Sequence, residues 1–311
     1  MPSFLVSGSI AFDTIIQTVG DFRSHDSGWE SLSLSLFSPQ IRREYGGTAA
    51  NIAYSLALLG EYPYVIGSVG EDAENALKRL SDMGVNTELV QTVPWNLSAQ
   101  ATIIRDGWAW QINVFHPWAM NFSGEISHGD IIFESAIIAP DAKEGMIRRV
   151  RECTMGGIFT IFDPGQAMGI FSGEELREMV TLADMTIMNE PERVTFQSIA
   201  GEDYTLITLW LGKIAIETQG EKWVRVFSPS WNIHIPAIHV ETLVDATGCG
   251  DAFRAGLLYG LERKWSLEKC CQLGNILWGI KIGFMGGQNH TFTREMIDRI
   301  GEKEFGVNFF A

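Results

Sequence analysis

The sequence predicts an α/β fold: a mainly parallel sheet covered by helices on both faces, with a small antiparallel lid standing off it. Three observations carry this expectation. Continuous apolar runs of strand length alternate with helical periodicity, the pattern of a sheet buried on both sides. Glycines stop the helical runs or open loops ahead of them. Two segments break the rhythm with a period of two, as half-buried antiparallel strands do.

Residues 4–8 (Phe-Leu-Val-Ser-Gly) open the chain with a strand. Residues 49–59 place Ile52, Leu56 and Leu59 at i, i+4 and i+7, an amphipathic helix that Gly60 ends. A second strand at 64–69 is followed by a helix at 74–83, ended by Gly84. Strands are predicted at 158–162, 185–188 and 206–209, with a helix at 173–183. Residues 251–261 and 267–282 read as helices. The breaks are Ser31 to Leu36, alternately polar and apolar, and a hairpin made by 98–104 and 110–115 around Asp106-Gly107. These inserted segments, about 14–44 and 97–118, are expected to form the lid of a single domain spanning residues 1–311. Its apolar strands would be covered by a site beneath them or by a second copy, so a homodimer through the lid is expected.

A chain of 311 residues buries a core without a disulfide or metal staple. Its 23 Lys and Arg against 38 Asp and Glu leave a net charge of −15, which argues against a nucleic-acid surface. Any anionic ligand must then be held by local backbone dipoles or a metal ion. No apolar run approaches a membrane span. The first thirty residues lack the basic and apolar regions of a secretory leader. Cys153, Cys249, Cys270 and Cys271 contain no C-x-x-C pair, so buried reduced thiols in a cytoplasmic protein are expected.

The densest chemical signal is Asp245-Ala246-Thr247-Gly248-Cys249-Gly250-Asp251, where a loop turns into a helix. The first amides of a helix have no intrahelical acceptor, and the dipole places positive charge there. Gly248 and Gly250 let an anion approach that backbone. Asp251, on the first turn, is placed to take a proton from a hydroxyl attacking a phosphoryl group. The same spacing also suits a plainly capped helix. Tyr45-Gly46-Gly47-Thr48-Ala49-Ala50-Asn51 is a second glycine-rich loop ahead of a helix; Asn51 both donates and accepts, which suits ligand hydroxyls, and a tight turn explains it as well. Asp13 lies beyond the first strand, where vicinal hydroxyls could be chelated or a turn closed. Asn189-Glu190-Pro191-Glu192 follows a strand and suits either Mg²⁺ waters and phosphate or a helix start with Pro near its first position. Gln166 ends Asp163-Pro164-Gly165-Gln166, a turn able to read a purine edge. No histidine is spaced to share a metal, and no P-loop motif is present.

Together, Gly46-Gly47-x-x-x-Asn51, Asn189-x-x-Glu192 and Asp245-x-Thr-Gly-Cys-Gly-Asp251 resemble, in order and spacing, the ribokinase-like (PfkB-type) carbohydrate and nucleoside kinases over essentially the whole chain. The Phe115-His116-Pro117 turn, Gln166 and the Gly287-Gln288-Asn289-His290 segment look most like the prokaryotic adenosine (nucleoside) kinase branch. The resemblance implies a three-layer α/β/α sandwich with a β lid. It implies ATP- and Mg²⁺-dependent phosphorylation of a nucleoside, adenosine first, at its 5′-hydroxyl. A sugar kinase for ribose or fructose, or a catalytically idle nucleoside-binding protein, are the alternatives. By resemblance Asp251 is the general base, and Gly248, Cys249 and Gly250 form the anion hole for the γ-phosphoryl. Asp13, Asn51 and the Gly46-Gly47 backbone hold ribose hydroxyls, with Gln166 and Phe115 at the base. Asn189, Glu192, Gly212 and Thr247 serve the nucleotide; Glu192 reaches Mg²⁺ through water, and Asp245 belongs to a monovalent-cation (K⁺) site. Gly212 enters because residues 208–215 align with the Thr-x-Gly-x-x-Gly of the relatives' ATP-binding strand, Trp210 and Ala215 departing from it. Trp118 stands where Gly is common after His-Pro and would narrow the base pocket.

Overall fold

The computed structural model describes residues 4–19, 37–106 and 111–310, with the backbone alone for Gln111. The alternating stretch at Ser31 to Leu36, the Gly107 turn and Trp110 lie outside the described residues. In chain order the strands are β1 Phe4–Ser7, β2 Ala11–Gln17, β3 Gln40–Gly46, β4 Tyr64–Val69, β5 Asn86–Thr92, β6 Ala99–Arg105 and β7 Gln111–His116. Then follow β8 Ser135–Ile138, β9 Phe159–Phe162, β10 Met185–Asn189, β11 Ile214–Thr218, β12 Trp223–Phe227 and β13 Asn232–Pro236. The helices are α1 Thr48–Leu58, α2 Glu74–Asp82, α3 Lys143–Met155, α4 Gly173–Leu182, α5 Glu190–Ala200, α6 Tyr204–Trp210, α7 Cys249–Glu262, α8 Leu267–Lys281 and α9 Arg294–Phe305.

Nine strands form one sheet in the order β13-β12-β11-β10-β9-β8-β1-β4-β5, parallel from β11 to β5 and antiparallel at the β12–β13 edge. Side chains alternate across a strand, so each central strand feeds two cores. Phe4 and Val6 join the core under α1, α7 and α8, whereas Leu5 joins the core under α3 and α4; Ile137 and Ile138 divide the same way. This is the expected three-layer arrangement. No helix among the described residues is long and apolar enough to cross a membrane. All four cysteines are free and buried.

One predicted strand is a helix. Residues 206–209 belong to α6, whose start is capped by Asp203 accepting from the Thr205 N–H. A short apolar run fits a buried helix as well as a strand, and here the cap decides.

The lid is a second sheet, β3-β2-β6-β7, and the predicted hairpin is its β6–β7 pair. Its strands cover residues 11–17, 40–46, 99–105 and 111–116, so the first part begins earlier than read from sequence and the second is narrower, and Asp13 sits within lid strand β2. Registered residues share a face. Glu44, Asp13, Ala101 and Phe115 form one row, while Ile41, Ile16, Ile104 and Ile112 form another on the opposite face. Ile41 and Ile112 are exposed there, as is Val114 on the same face.

Candidate active site

The strand order reverses between β1 and β8, because the chain runs outward from β1 to β5 and later from β8 to β11 the other way. Loops leaving the carboxyl ends diverge at such a point and leave the crevice where open α/β sheets bind ligands. Ser9 follows β1 and donates its N–H to Pro140 O, beyond β8, at 2.9 Å; Thr48 Oγ1 reaches the same carbonyl at 3.1 Å. These bonds seat the start of α1. Gly47 adopts φ +92°, and a Cβ there would lie 2.5 Å from Ser9 O; a Cβ on Gly46 would lie 2.7 Å from the Asp13 carboxylate. The missing side chains therefore make room for the protein's own groups at this turn.

α1 presents Asn51 on its first turn, and α7 presents Asp251 from across the crevice. Asn51 Nδ2 donates to Asp251 Oδ2 at 2.8 Å. Gln288 Nε2 donates to Asn51 Oδ1 at 3.1 Å, and Arg79 donates to Gln288 Oε1 and to its carbonyl at 2.8 and 2.7 Å. The run Arg79–Gln288–Asn51–Asp251 thus fixes which end of the Asn51 amide faces the carboxylate. Gly287 is needed beside it, since a Cβ there would come within 2.5 Å of Asn51 Oδ1.

Burial pushes the Asp251 carboxyl up to about 7; Asp163 and Asp13 push the same way, while the Asn51 bond and Arg254 oppose. A base must be ionised, so activity that depends on Asp251 is expected to rise with pH through about 7 and level off above it. Asn51→Ala removes an opposing contribution, so the acid limb of the kcat/KM profile should move to higher pH; an unmoved limb would detach Asn51 from that titration.

The Cys249 N–H is turned to Ala246 O at 3.2 Å. The amides open for an anion are therefore those of Gly250 and Asp251, which have no acceptor among the described residues, and Cys249 is corrected out of the set. Gly248 acts indirectly: at φ +78° it starts the turn, and a Cβ on it would lie 2.9 Å from Gly287 Cα. The Cys249 thiol is buried and pushed up to about 12, so it stays neutral.

Behind the hole, Arg254 grips the Asp163 carboxylate with Nε and, at 2.7 Å, with Nη2; its Nη1 donates to Gly250 O at 3.0 Å. Both side chains are buried. By sequence Asp163 is a turn residue, and no local signal links it to a position 91 residues away.

Asn189 and Glu192 form a reciprocal capping box on α5: Asn189 Oδ1 accepts from the Glu192 N–H at 2.8 Å, and Glu192 Oε2 accepts from the Asn189 N–H at 2.7 Å. The helix-start alternative is thus realised. Burial raises the Glu192 pKa, Arg254 opposing and Asp163 reinforcing the shift. Mg²⁺ keeps several waters and binds through one or two carboxylates with substrate phosphates. Glu192, with one oxygen outside the cap, fits such a role.

Gly212 falls at the wrong end of the sheet. It precedes β11, whereas ligands meet the carboxyl ends, because the strand assigned to 206–209 is α6. The Thr-x-Gly order that the resemblance implies is met instead at Thr218-Gln219-Gly220, at the carboxyl end of β11, with Thr218 paired beside Asn189.

Thr247 is spent on Asp245, donating N–H and Oγ1 to Asp245 Oδ1 at 3.1 and 2.8 Å. Gly286 N–H donates to Oδ2 at 2.9 Å, and Arg105 Nη2 lies 3.7 Å from Oδ1. These donors fill the two lone-pair sites of Oδ1 and one of Oδ2, so the carboxylate is held chiefly by the protein's own N–H and O–H groups.

The lid closes the site from above. Asp13 is buried, and burial with Asp245 and Glu44 nearby raises its carboxyl to about 6. Phe115 shares its face across the sheet. Trp118, at φ +43°, packs its ring 4.3 Å from that of His116. Gln166 is exposed three residues beyond Asp163 and has no partner among the described residues.

A cleft at the switch point, a carboxylate on the first turn of a late helix and a β lid define a kinase-like phosphotransferase site. The family model described as pfkB family carbohydrate kinase matches residues 14–292, and the chain belongs to that family. It is a phosphotransferase acting on an alcohol group. The chain is similar to the nucleoside kinase of Burkholderia thailandensis solved with inosine, at 36% identity, a TM-score of 0.89 and coverage of 98% and 99% of the two chains. The same enzyme in complex with ADP-inosine superposes with a TM-score of 0.87, also at 36% identity, covering 98% and 97%. The nucleoside kinase of Methanocaldococcus jannaschii is 28% identical over 77% of this chain and 80% of its own.

Proposed function

We propose that this chain transfers the γ-phosphoryl group of ATP to the 5′-hydroxyl of a purine nucleoside. The observation that carries the reading is the Asn51–Asp251 bond across the cleft. It leaves Asp251 Oδ1 to accept the proton of a hydroxyl while Oδ2 stays anchored, beside the open amides of Gly250 and Asp251. Asp251 removes the 5′-proton, the oxygen attacks the γ-phosphorus, the bond to the β-γ bridging oxygen breaks, and ADP leaves. The two amides face the phosphoryl oxygens as charge builds on them. Mg²⁺, when bound with the nucleotide, offsets phosphate charge beside Glu192.

Asp13 holds the ribose hydroxyls from the lid, with Asn51 and the Gly46-Gly47 backbone below. Phe115 and Gln166 border the base, and Asn189 with Thr218-Gln219-Gly220 borders the nucleotide. Closure of the lid keeps water from the γ-phosphate. The apolar outer lid face bearing Ile41, Ile112 and Val114 supports a homodimer, which light scattering would register as twice the mass of the chain.

Nucleosides and sugars presented with Mg-ATP test the substrate class. Adenosine leads by resemblance, and inosine joins it from the Burkholderia complex. ADP and a nucleoside monophosphate are the expected products; turnover of ribose or fructose in preference to every nucleoside would replace this reading.

A further inference from the structure

Lys281, on the last turn of α8, is fully buried. Its Nζ donates to Asp245 O at 2.9 Å and to Phe284 O at 3.0 Å. A charge-bearing side chain with no solvent exposure needs compensation, and this one has two carbonyls, the carboxyl end of a helix dipole and nearby acids. Burial lowers the Lys281 pKa, while the carboxylates of Asp245 and Asp251 pull it upward.

The position matters more than the burial. The N–H groups of Val244 and Asp245 both donate to Ile282 O, docking the loop ahead of α7 onto the end of α8. Lys281 ties the same loop by the Asp245 carbonyl and the following loop by the Phe284 carbonyl. Gly286, two residues beyond, donates to the Asp245 carboxylate, and Gly287 packs against Gly248 and Asn51. One ammonium therefore holds together the two loops that frame the start of α7. Carbonyl oxygens converging on a desolvated single positive charge are what a bound K⁺ would require. An ammonium group matches that ion in charge and nearly in size. Here the carbonyls already face N–H donors, as the Asp245 carboxylate does.

We propose that the Lys281 ammonium is a built-in replacement for the monovalent cation, so that the anion hole of this chain is held without K⁺. The kinetic consequence rests on the kinase reading above; the structural one does not. The test uses the full chain in tetramethylammonium buffer, titrated with KCl or NaCl at constant ionic strength. Thermal unfolding and turnover of Mg-ATP with the preferred nucleoside are both followed. For the wild type, K⁺ should raise neither Tm nor kcat/KM beyond what Na⁺ does. Lys281→Met, which keeps the stem and removes the charge, should lose about 5- to 150-fold in kcat/KM, the usual span of coupling between a bound ion and a site. In Lys281→Ala, which removes the stem as well and so leaves room for an ion, K⁺ or ammonium, but not Na⁺, should raise Tm and restore part of the rate.

Saturable activation or stabilisation of the wild type by K⁺ over Na⁺ would overturn the proposal, and this arm stands even if Lys281→Met does not fold. A folded Lys281→Met with wild-type rates, or a folded Lys281→Ala indifferent to every cation, would overturn it equally. The melting arms still decide the matter if no nucleoside is turned over, a result that would refute the kinase reading alone.

Discussion

Asp251→Asn is expected to lower kcat by about 10²- to 10⁴-fold, the usual worth of a positioned proton-transfer group. Nucleoside affinity should stay close to wild type, because the amide keeps the shape of the carboxylate and a partner for Asn51. Stability separates this from misfolding. Burial lifts the folded carboxyl to about 7 from its ordinary 3.8, so the folded chain binds a proton across that window that the unfolded chain does not. Its contribution to stability therefore falls as pH rises from 3.8 to about 7. Above that window Asp251→Asn removes a buried charge and should melt at or above the wild-type Tm while being nearly inactive. A variant that melts lower and loses activity in proportion would point to a structural role instead.

Arg254→Leu should have the largest effect on stability. It leaves the buried Asp163 carboxylate without its two-pronged partner and frees the Gly250 carbonyl. Removing one member of a buried ion pair costs about 3–5 kcal/mol, because the remaining charge is stranded. Arg254 also opposes the upward shifts of Asp251 and Glu192, so the acid limb of kcat/KM should move to higher pH. Denaturant unfolding and a pH–rate profile check both. Asp163→Leu combined with Arg254→Met strands no charge, so the double variant should recover much of the lost stability but not the rate. A double variant less stable than either single one would contradict the stranded-charge explanation.

Much of the scaffold was legible because it depends on local chemistry. The apolar runs that became β1, β4, β9 and β10 are buried on both sides, and the amphipathic helix at 49–59 is α1 within a residue at each end. The hairpin read from alternation at 98–115 is β6 and β7. The Gly-x-Gly-Asp turn opens α7, as a loop rich in glycine ahead of a helical period implies. What failed was assigned from composition where two structures fit. Thr-Leu-Ile-Thr-Leu-Trp is apolar enough for a strand, and only the Asp203 cap made it α6. With 206–209 helical, the proposed nucleotide loop lies at Thr218–Gly220, at the carboxyl end of β11, rather than at Gly212. What stayed invisible has no local signature at all. Asp163 meets Arg254, Gln288 meets Asn51, and Lys281 meets the Asp245 carbonyl only after the chain has folded, across separations of 91, 237 and 36 residues.

The decisive observation is a crystal structure of the wild-type chain holding a purine nucleoside and a non-hydrolysable ATP analogue with Mg²⁺. The 5′-oxygen should lie within about 2.6–3.2 Å of the Asp251 carboxylate, with the γ-phosphoryl on the amides of Gly250 and Asp251. A nucleoside seated with its 5′-oxygen turned from Asp251, or phosphates remote from the start of α7, would contradict the account.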